Sequence, residues 1–391
     1  MIPLVLNHHD VMAKAQTGSG KSASFVLPIL EMLPKTRGEA KKAKIRVLVL
    51  TPTRELTLQV SEAFRTFSKH QEQKINVVSI IGGASIGDQL YDIQQGCDIL
   101  VATSGRFIDV LSKKQMNLSH IEYLVLDEAD KMLDLGFSEE LDLILKEIPS
   151  QRQNLLFSAT YPQKMLEIAS KITQNPTKIS LDDETPVVQT IEQRVIEVSR
   201  ENRGPLLKNL LKKHKWKSVL VFMANKRATD NIAAKFRKNG YLAESFHGDL
   251  VQEDREWTLN EFKKKKLQIL FCTDIAARGL DIDDVSVIVN YDLPRSPSDY
   301  IHRIGRTARA GKSGEAISFI DFEDFEHFKL IEKRSQIKLE REKIEGFELQ
   351  GEAPKKVKGP APAKGKGKSK KDKLREKAAQ EAKQRRGDSS E

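Results

Sequence analysis

The chain has 391 residues, 39% of them hydrophobic and 31% charged, ordinary proportions for a globular protein with room for two core-bearing domains. No apolar run reaches the ~18 to 20 residues of a membrane-spanning helix. The start, MIPLVLNHHDVM, lacks the basic region of a signal peptide, and Cys97 and Cys272, far apart, exclude a disulfide framework or a cysteine-built metal site. The net charge of +10 is local: 14 of the 65 Lys/Arg and 6 of the 55 Asp/Glu follow residue 351, so the end holds +8 and the body about +2. A polyanion would have to be held by a placed groove and not by bulk charge. A reducing cytoplasm, no membrane association and a monomeric state are the expectations.

Apolar, strand-like runs at 46–51, 76–81, 98–102, 123–126 and 154–157 alternate with amphipathic stretches. One of these is residues 55–70, apolar at Leu56, Val60, Ala63, Phe64 and Phe67. A charged, Pro-containing seam near 182–191 interrupts the pattern. It then resumes with strand-like runs at 218–222, 243–246, 267–271, 285–290 and 316–320, and helices over 227–238 and 252–265. The fold class is therefore α/β: two domains, 1–181 and 192–350, each a mainly parallel sheet flanked by helices, joined by a linker at 182–191. From 351 to 391 the composition shifts to Lys, Gly, Pro and Ala, too little apolar surface to fold, and a disordered basic tail is expected. Its role is either a sequence-independent polyanion tether or a merely solvated charge run.

The first chemical signal is Ala15, Gln16, Thr17, Gly18, Ser19, Gly20, Lys21 and Ser22. Gly18 and Gly20 let successive N–H groups converge on a phosphate at the start of a helix. Lys21 then reaches the terminal phosphates of a bound nucleotide, and the Ser22 hydroxyl ligates Mg²⁺. The strict pattern has Gly at the position of Ala15, so the generic motif matches only in its second half, and a Gly-rich turn without phosphate is the alternative. The apolar run 123–126 ends in Asp127 and Glu128. That places two carboxylates at the C-terminal edge of a parallel sheet, where ligands of such folds bind. Asp127 is suited to hold the metal through water, and Glu128 to orient or deprotonate an attacking water. A phosphate loop and a paired acid in one domain point to a nucleoside-triphosphate hydrolase.

Nine motifs stand in order: AQTGSGKS (15–22), PTREL (52–56), Gly82-Gly83, TSGR (103–106), DEAD (127–130), SAT (158–160), QEDR (252–255), TDIAARGLDI (273–282) and HRIGRTARAG (302–311). On these, from Met12 to Phe322, the chain resembles the DEAD-box ATP-dependent RNA helicases of helicase superfamily 2. Its lysine-rich end and the wording around the motifs look closest to the bacterial RhlE-like branch. The resemblance implies two tandem RecA-like domains, ATP and Mg²⁺ as cofactors, and local, non-processive RNA duplex unwinding or RNA–protein remodelling. It implies Arg306 and Arg309 as arginine fingers, which suits phosphoryl transfer. Asp281 would hold the ribose, Asp130 and His302 would communicate between the domains, and Ser158 and Thr160 would couple nucleotide state to RNA.

An RNA groove would draw on Pro52, Thr53, Arg54, Gly83, Thr103 and Arg106 from the first domain and Gln252, Arg255, Thr273 and Arg278 from the second. Small hydroxyls, a glycine and arginines suit phosphates and 2′-OH groups, and the scarcity of aromatics argues against base stacking. Ribosome assembly and RNA decay are both settings such a groove would fit. Ser104 stands where the family usually has Pro, and it is expected to act as a helix N-cap. The family also carries an adenine-reading glutamine and aromatic upstream of the phosphate loop. The 14 residues before Ala15 do not form them, so the chain is expected to begin just after that segment. A weakly active or inactive RNA-binding scaffold is therefore the alternative function, and a DNA helicase of the same superfamily a third.

Overall fold

The two series of apolar runs resolve, in a computed structural model, into two seven-stranded parallel sheets within one compact body spanning residues 1–350. The structure describes residues 1–14, 20–34, 43–161, 163–180, 191–277, 282, 285–308 and 314–350. The first lobe runs α1 (Ile2–Leu6), β1 (Val11–Lys14), α2 (Lys21–Met32), β2 (Val47–Thr51), α3 (Arg54–Ser68), β3 (Val77–Ile80), α4 (Ile86–Gln95) and β4 (Ile99–Thr103). It continues through α5 (Ser104–Leu111), β5 (Tyr123–Leu126), α6 (Ala129–Asp134), α7 (Ser138–Glu147), β6 (Gln153–Ser158), α8 (Gln163–Ile172) and β7 (Thr177–Ser180). Its strand order is β3-β4-β2-β5-β6-β1-β7.

The second lobe holds β8 (Ile191–Glu197), α9 (Arg203–His214), β9 (Val219–Met223), α10 (Lys226–Lys238), β10 (Ala243–Phe246), α11 (Gln252–Lys263) and β11 (Ile269–Thr273). Then come α12 (Asp274–Ala277), β12 (Val287–Asn290), α13 (Pro297–Ile304), β13 (Gly314–Ile320), α14 (Phe325–Ser335) and β14 (Arg341–Glu342), in the order β10-β11-β9-β12-β13-β8-β14.

Central strands such as β2, β5 and β9 are buried along their whole length, which is why they read as unbroken apolar runs. Each sheet has an apolar cluster on either face. Helix starts follow capping chemistry: Thr53 accepts from the Leu56 N–H, Asn225 from that of Ala228, and Ser296 from that of Asp299 with Pro297 next in line.

Four strands escaped the sequence pattern for physical reasons, one of them β8 (IEQRVIE), whose apolar residues are interrupted by Glu192, Gln193 and Arg194. β1 is four residues long, and its place beside β6 is fixed by Asp10, which accepts from the Asn154 and Gln174 N–H groups at 2.7 and 2.8 Å. β7 (TKIS) is an edge strand exposed at alternate residues. β14 is two residues paired to β8, held there by Arg194, which binds both Glu315 and Glu342.

Ile191, read as linker, is the first residue of β8; residues 182–190 and the tail 351–391 lie outside the described residues. Ser104 is also corrected: Thr103 is the N-cap of α5, Ser104 is its first residue, and the Ser104 hydroxyl is buried without a partner. That first helical position tolerates the proline more usual in the family because its N–H needs no intrahelical acceptor. Among the described residues no helix is long and apolar enough to cross a membrane.

Candidate active site and nucleic-acid groove

The C-terminal ends of β1, β5 and β6 bring the chemical motifs of the first lobe together. After β1 the chain is next described at Gly20, whose φ of 79° lets it turn into α2. Ala15, Gln16, Thr17, Gly18 and Ser19 lie outside the described residues. Lys21 opens α2, is buried, and sets its Nζ 3.9 Å from Asp127 Oδ1. Ser22 follows on the same turn.

Asp127 ends the strand, and Glu128 sits in the left-handed region at φ 53°, ψ 48° as N-cap of α6. A non-glycine residue there stores about 1 kcal/mol or more of strain. The turn drives the Glu128 carboxylate inward, where Oε1 lies 2.8 Å from Lys131 Nζ with both side chains almost fully buried.

Electrostatics divide these neighbours. Burial pushes the Asp127 carboxyl up, with Glu128 adding to that and Lys21 opposing it. Burial acts on Glu128 too, but Lys131, Lys21 and Arg306 together hold it down at about 2. Lys131 is pushed down chiefly by burial, with Glu128 opposing. Asp130 is occupied by the end of β6: its Oδ2 accepts from the Thr160 N–H and hydroxyl, both at 3.0 Å, while Ser158 donates to the Thr160 carbonyl at 2.5 Å.

The second lobe faces this cluster with α13 and the turn after it. One cavity is lined by Asp130, Lys131 and Thr160 from the first lobe and by His302, Arg303 and Arg306 from the second. Arg306 is 4% exposed, and its charge acts on both Glu128 and Lys131. His302 makes no hydrogen bond to Asp130, although both line the cavity; burial, with Lys131 and Arg306, lowers it to about 4, so its ring is neutral at pH 7. Arg303 is committed inside its own lobe, bidentate to Asp274 at 2.6 and 2.7 Å and packed on Phe222. The HRIGR segment is thus a buried seam and not a solvated helix face. Arg278, Asp281 and Arg309 lie outside the described residues.

The expected groove residues also converge. An open groove of about 350 Å³ is lined by Pro52, Thr53, Arg54, Thr103 and Arg106 of the first lobe and by Arg255 of the second. Thr273 ends β11 on the same edge of its sheet. Gly83 has φ 91°, and a Cβ there would lie 2.7 Å from the Arg54 guanidinium, which rests on the glycine pair. Arg54 in turn donates to Gln252 across the lobes at 3.3 Å. Arg255, read as an RNA contact, is largely engaged: it reaches Glu55 of the first lobe at 2.6 Å, donates to the His247 carbonyl at 2.7 Å, and packs over Phe246.

A profile described as DEAD/DEAH box helicase matches residues 1–168, and one described as Helicase conserved C-terminal domain matches residues 203–311. The yeast Dbp5 structure bound to RNA and ADP BeF3, from S. cerevisiae, is similar at TM-score 0.74 and 30% identity, covering 86% of this chain and 85% of that one. The chain belongs to the DEAD/DEAH box helicase family. Two curated relatives are the ATP-dependent RNA helicase CshA of Listeria monocytogenes and the ATP-dependent RNA helicase DeaD of Mycobacterium tuberculosis. Both are 39% identical over 78% of this chain, which spans 58% and 53% of their lengths.

The residues present suit the Mg²⁺ that the family implies. Asp127 Oδ1 is buried without a hydrogen-bond partner, and the Ser22 hydroxyl is near the start of the same helix as Lys21. One carboxylate and one hydroxyl are the usual protein share for Mg²⁺, which takes its remaining ligands from water and phosphate. Among the described residues no group of three or more His, Cys, Asp or Glu is placed to hold a metal ion.

Motif reading missed two residues that the geometry makes central. Lys131, just after DEAD, is the nearest cation to Glu128. Glu55, inside PTREL, is the partner of Arg255. Each is a charged residue at a position that reads as helix surface, and only burial in the folded chain marks it out.

Proposed function

We propose that this chain is an RNA-dependent ATPase acting as an ATP-dependent RNA helicase. In this reading, closure of two RecA-like domains, 1–181 and 192–350, drives local, non-processive duplex opening or RNA–protein remodelling. The single observation carrying the reading is a buried cluster of one lobe, Lys21 beside Asp127 and Lys131 beside Glu128, at a cavity that Lys131 lines together with Arg306 of the other lobe, whose charge acts on Glu128.

In this reading Lys21 neutralises the terminal phosphates of ATP. Asp127 and Ser22 would hold Mg²⁺, which when bound would supply charge neutralisation for the phosphates. Glu128, a weak proton acceptor at about 2, orients the attacking water more than it abstracts its proton. Arg306 stabilises charge on the transferring oxygens, with Arg309 as its proposed companion, and Asp281 as the ribose contact. Neither lobe then hydrolyses ATP alone.

RNA would lie along the groove from Pro52, Thr53, Arg54, Gly83, Thr103 and Arg106 to Gln252, Arg255, Thr273 and Arg278, held by phosphates and 2′-OH groups. Asp130, bonded to Thr160, and the neutral His302 opposite would report closure between the lobes. The relatives reported above are named CshA and DeaD, so the reading adopted is membership of the family, without assignment to its RhlE-like branch. Two buried free thiols, Cys97 and Cys272, suit the reducing cytoplasm proposed as the setting.

The test is ATP turnover with and without single-stranded RNA. Stimulation by RNA and its collapse in Glu128→Gln are expected. Full turnover in Glu128→Gln, or none above background in the unsubstituted chain at saturating ATP and RNA, would sink the reading and favour the scaffold.

A further inference from the structure

The second sheet is parallel throughout, so the loops entering its neighbouring strands β10, β11 and β9 lie side by side on the edge opposite Thr273. Backbone bonds from Val219 to Gln268 and from Gln268 to Leu242, at 2.9 and 2.8 Å, and a bond from the Gln268 side chain to the Trp216 carbonyl, at 2.7 Å, knit them together. This edge is basic. α9 runs out into Lys212, Lys213, Lys215 and Lys217, and α11 into lysines 263–266, all exposed.

Cations in a last helical turn offset the helix dipole. That accounts for Lys212 and Lys213, but Lys215, Lys217 and lysines 264–266 lie beyond the helix ends. Lys264 and Lys266 are paired with Glu261, at 4.0 and 3.3 Å. Lys212, Lys213, Lys215 and Lys217, by contrast, form no ion pair with any described residue. Among them His214 stacks on Trp216, ring centroids 4.9 Å apart and planes 12° from parallel. In a body carrying only about +2, such a concentration is a matter of placement.

We propose that this basic edge of the second lobe is a second RNA-binding surface, outside the interlobe groove. It grips the phosphates of a flanking RNA segment and offers the His214–Trp216 stack to a base. The inference rests on the RNA reading above. The five residues of β9 separate this edge from the opposite one by about 16 Å at ~3.3 Å per residue. A short oligonucleotide sized to the groove therefore does not reach it, whereas a longer strand does. A flat aromatic stack set among unpaired lysines fits a base next to its phosphates, and that favours RNA over an acidic protein or an anionic membrane.

The test uses the full chain carrying Lys212→Gln, Lys213→Gln, Lys217→Gln and Lys264→Gln. It spares Lys215 and Lys265, whose φ values of 52° and 59° make them turn residues. For long single-stranded RNA, the slope of log affinity against log salt should become shallower by about 3, from ~0.7 per lost phosphate contact. ATP turnover stimulated by the short oligonucleotide should be unchanged.

In a separate Trp257→Phe chain, Trp216 is the remaining one of two tryptophans, and long but not short RNA should change its emission. An unchanged salt slope together with unresponsive Trp216 emission overturns the inference. Loss of short-RNA stimulation in the quadruple variant overturns it too, because the surface would then not be separate. If short RNA fails to stimulate turnover even in the unsubstituted chain while the salt slope and Trp216 respond as expected, the groove reading falls and this surface stands.

Discussion

Glu55→Gln should uncouple the lobes without unfolding either one. In the closed arrangement the Arg255 guanidinium lies 2.6 Å from the Glu55 carboxylate, and their side chains are 6% and 5% exposed. Removing one partner of such a pair leaves the other charge buried and uncompensated, which costs about 3 to 5 kcal/mol. Arg255 keeps the His247 carbonyl and the Phe246 ring, so the lower end, about 3 kcal/mol, is the relevant figure. The penalty exists only when the lobes are together, because separation returns both groups to water. It therefore falls on closure, by a factor of roughly 150.

The assay is RNA-stimulated ATP turnover as a function of RNA concentration, beside thermal unfolding. Turnover at subsaturating RNA should drop by one to two orders of magnitude with the unfolding midpoint nearly unchanged. The double variant Glu55→Gln/Arg255→Met should recover part of the loss, since it leaves no buried charge. An effect below about twofold, or a midpoint that falls in step with turnover, would refute this: about 3 kcal/mol on closure must show in turnover, and the same cost on folding would lower the midpoint.

Three further outcomes follow from the site. His302 titrates normally near 6.5 but near 4 in the folded chain, so between these values the unfolded chain binds a proton that the folded one does not. Stability should therefore fall as pH drops through that window, by at most about 3 kcal/mol, and thermal unfolding of His302→Gln should show a flatter dependence on pH. Gly83→Ala combines a left-handed φ of 91° with a Cβ 2.7 Å from the Arg54 guanidinium. It should cost about 1 kcal/mol of stability and displace Arg54, weakening RNA binding in a direct titration with little change in ATP affinity. Lys131→Met removes the nearest cation from Glu128, so the Glu128 pKa should rise and the acid limb of the turnover–pH profile should move up by at least about one unit. An unmoved limb would show that Glu128 does not set it.

The sequence by itself determined the α/β class, the two-sheet organisation and the family, because β2, β5, β9 and their neighbours are buried on both faces and leave unbroken apolar runs. It also located every motif, since phosphate loops and paired acids depend on local spacing. It could not show β1, β7, β8 or β14, short, edge or polar-interrupted strands whose place is set by partners such as Asp10 and Arg194, more than a hundred residues from what they hold.

It also could not weigh the charges. Glu128 held at about 2, Asp127 pushed the other way, His302 made neutral and Arg255 committed to Glu55 are consequences of burial and of neighbours distant in sequence. Desolvation and Coulomb interactions depend on distance in space, and only the tertiary structure fixes those distances.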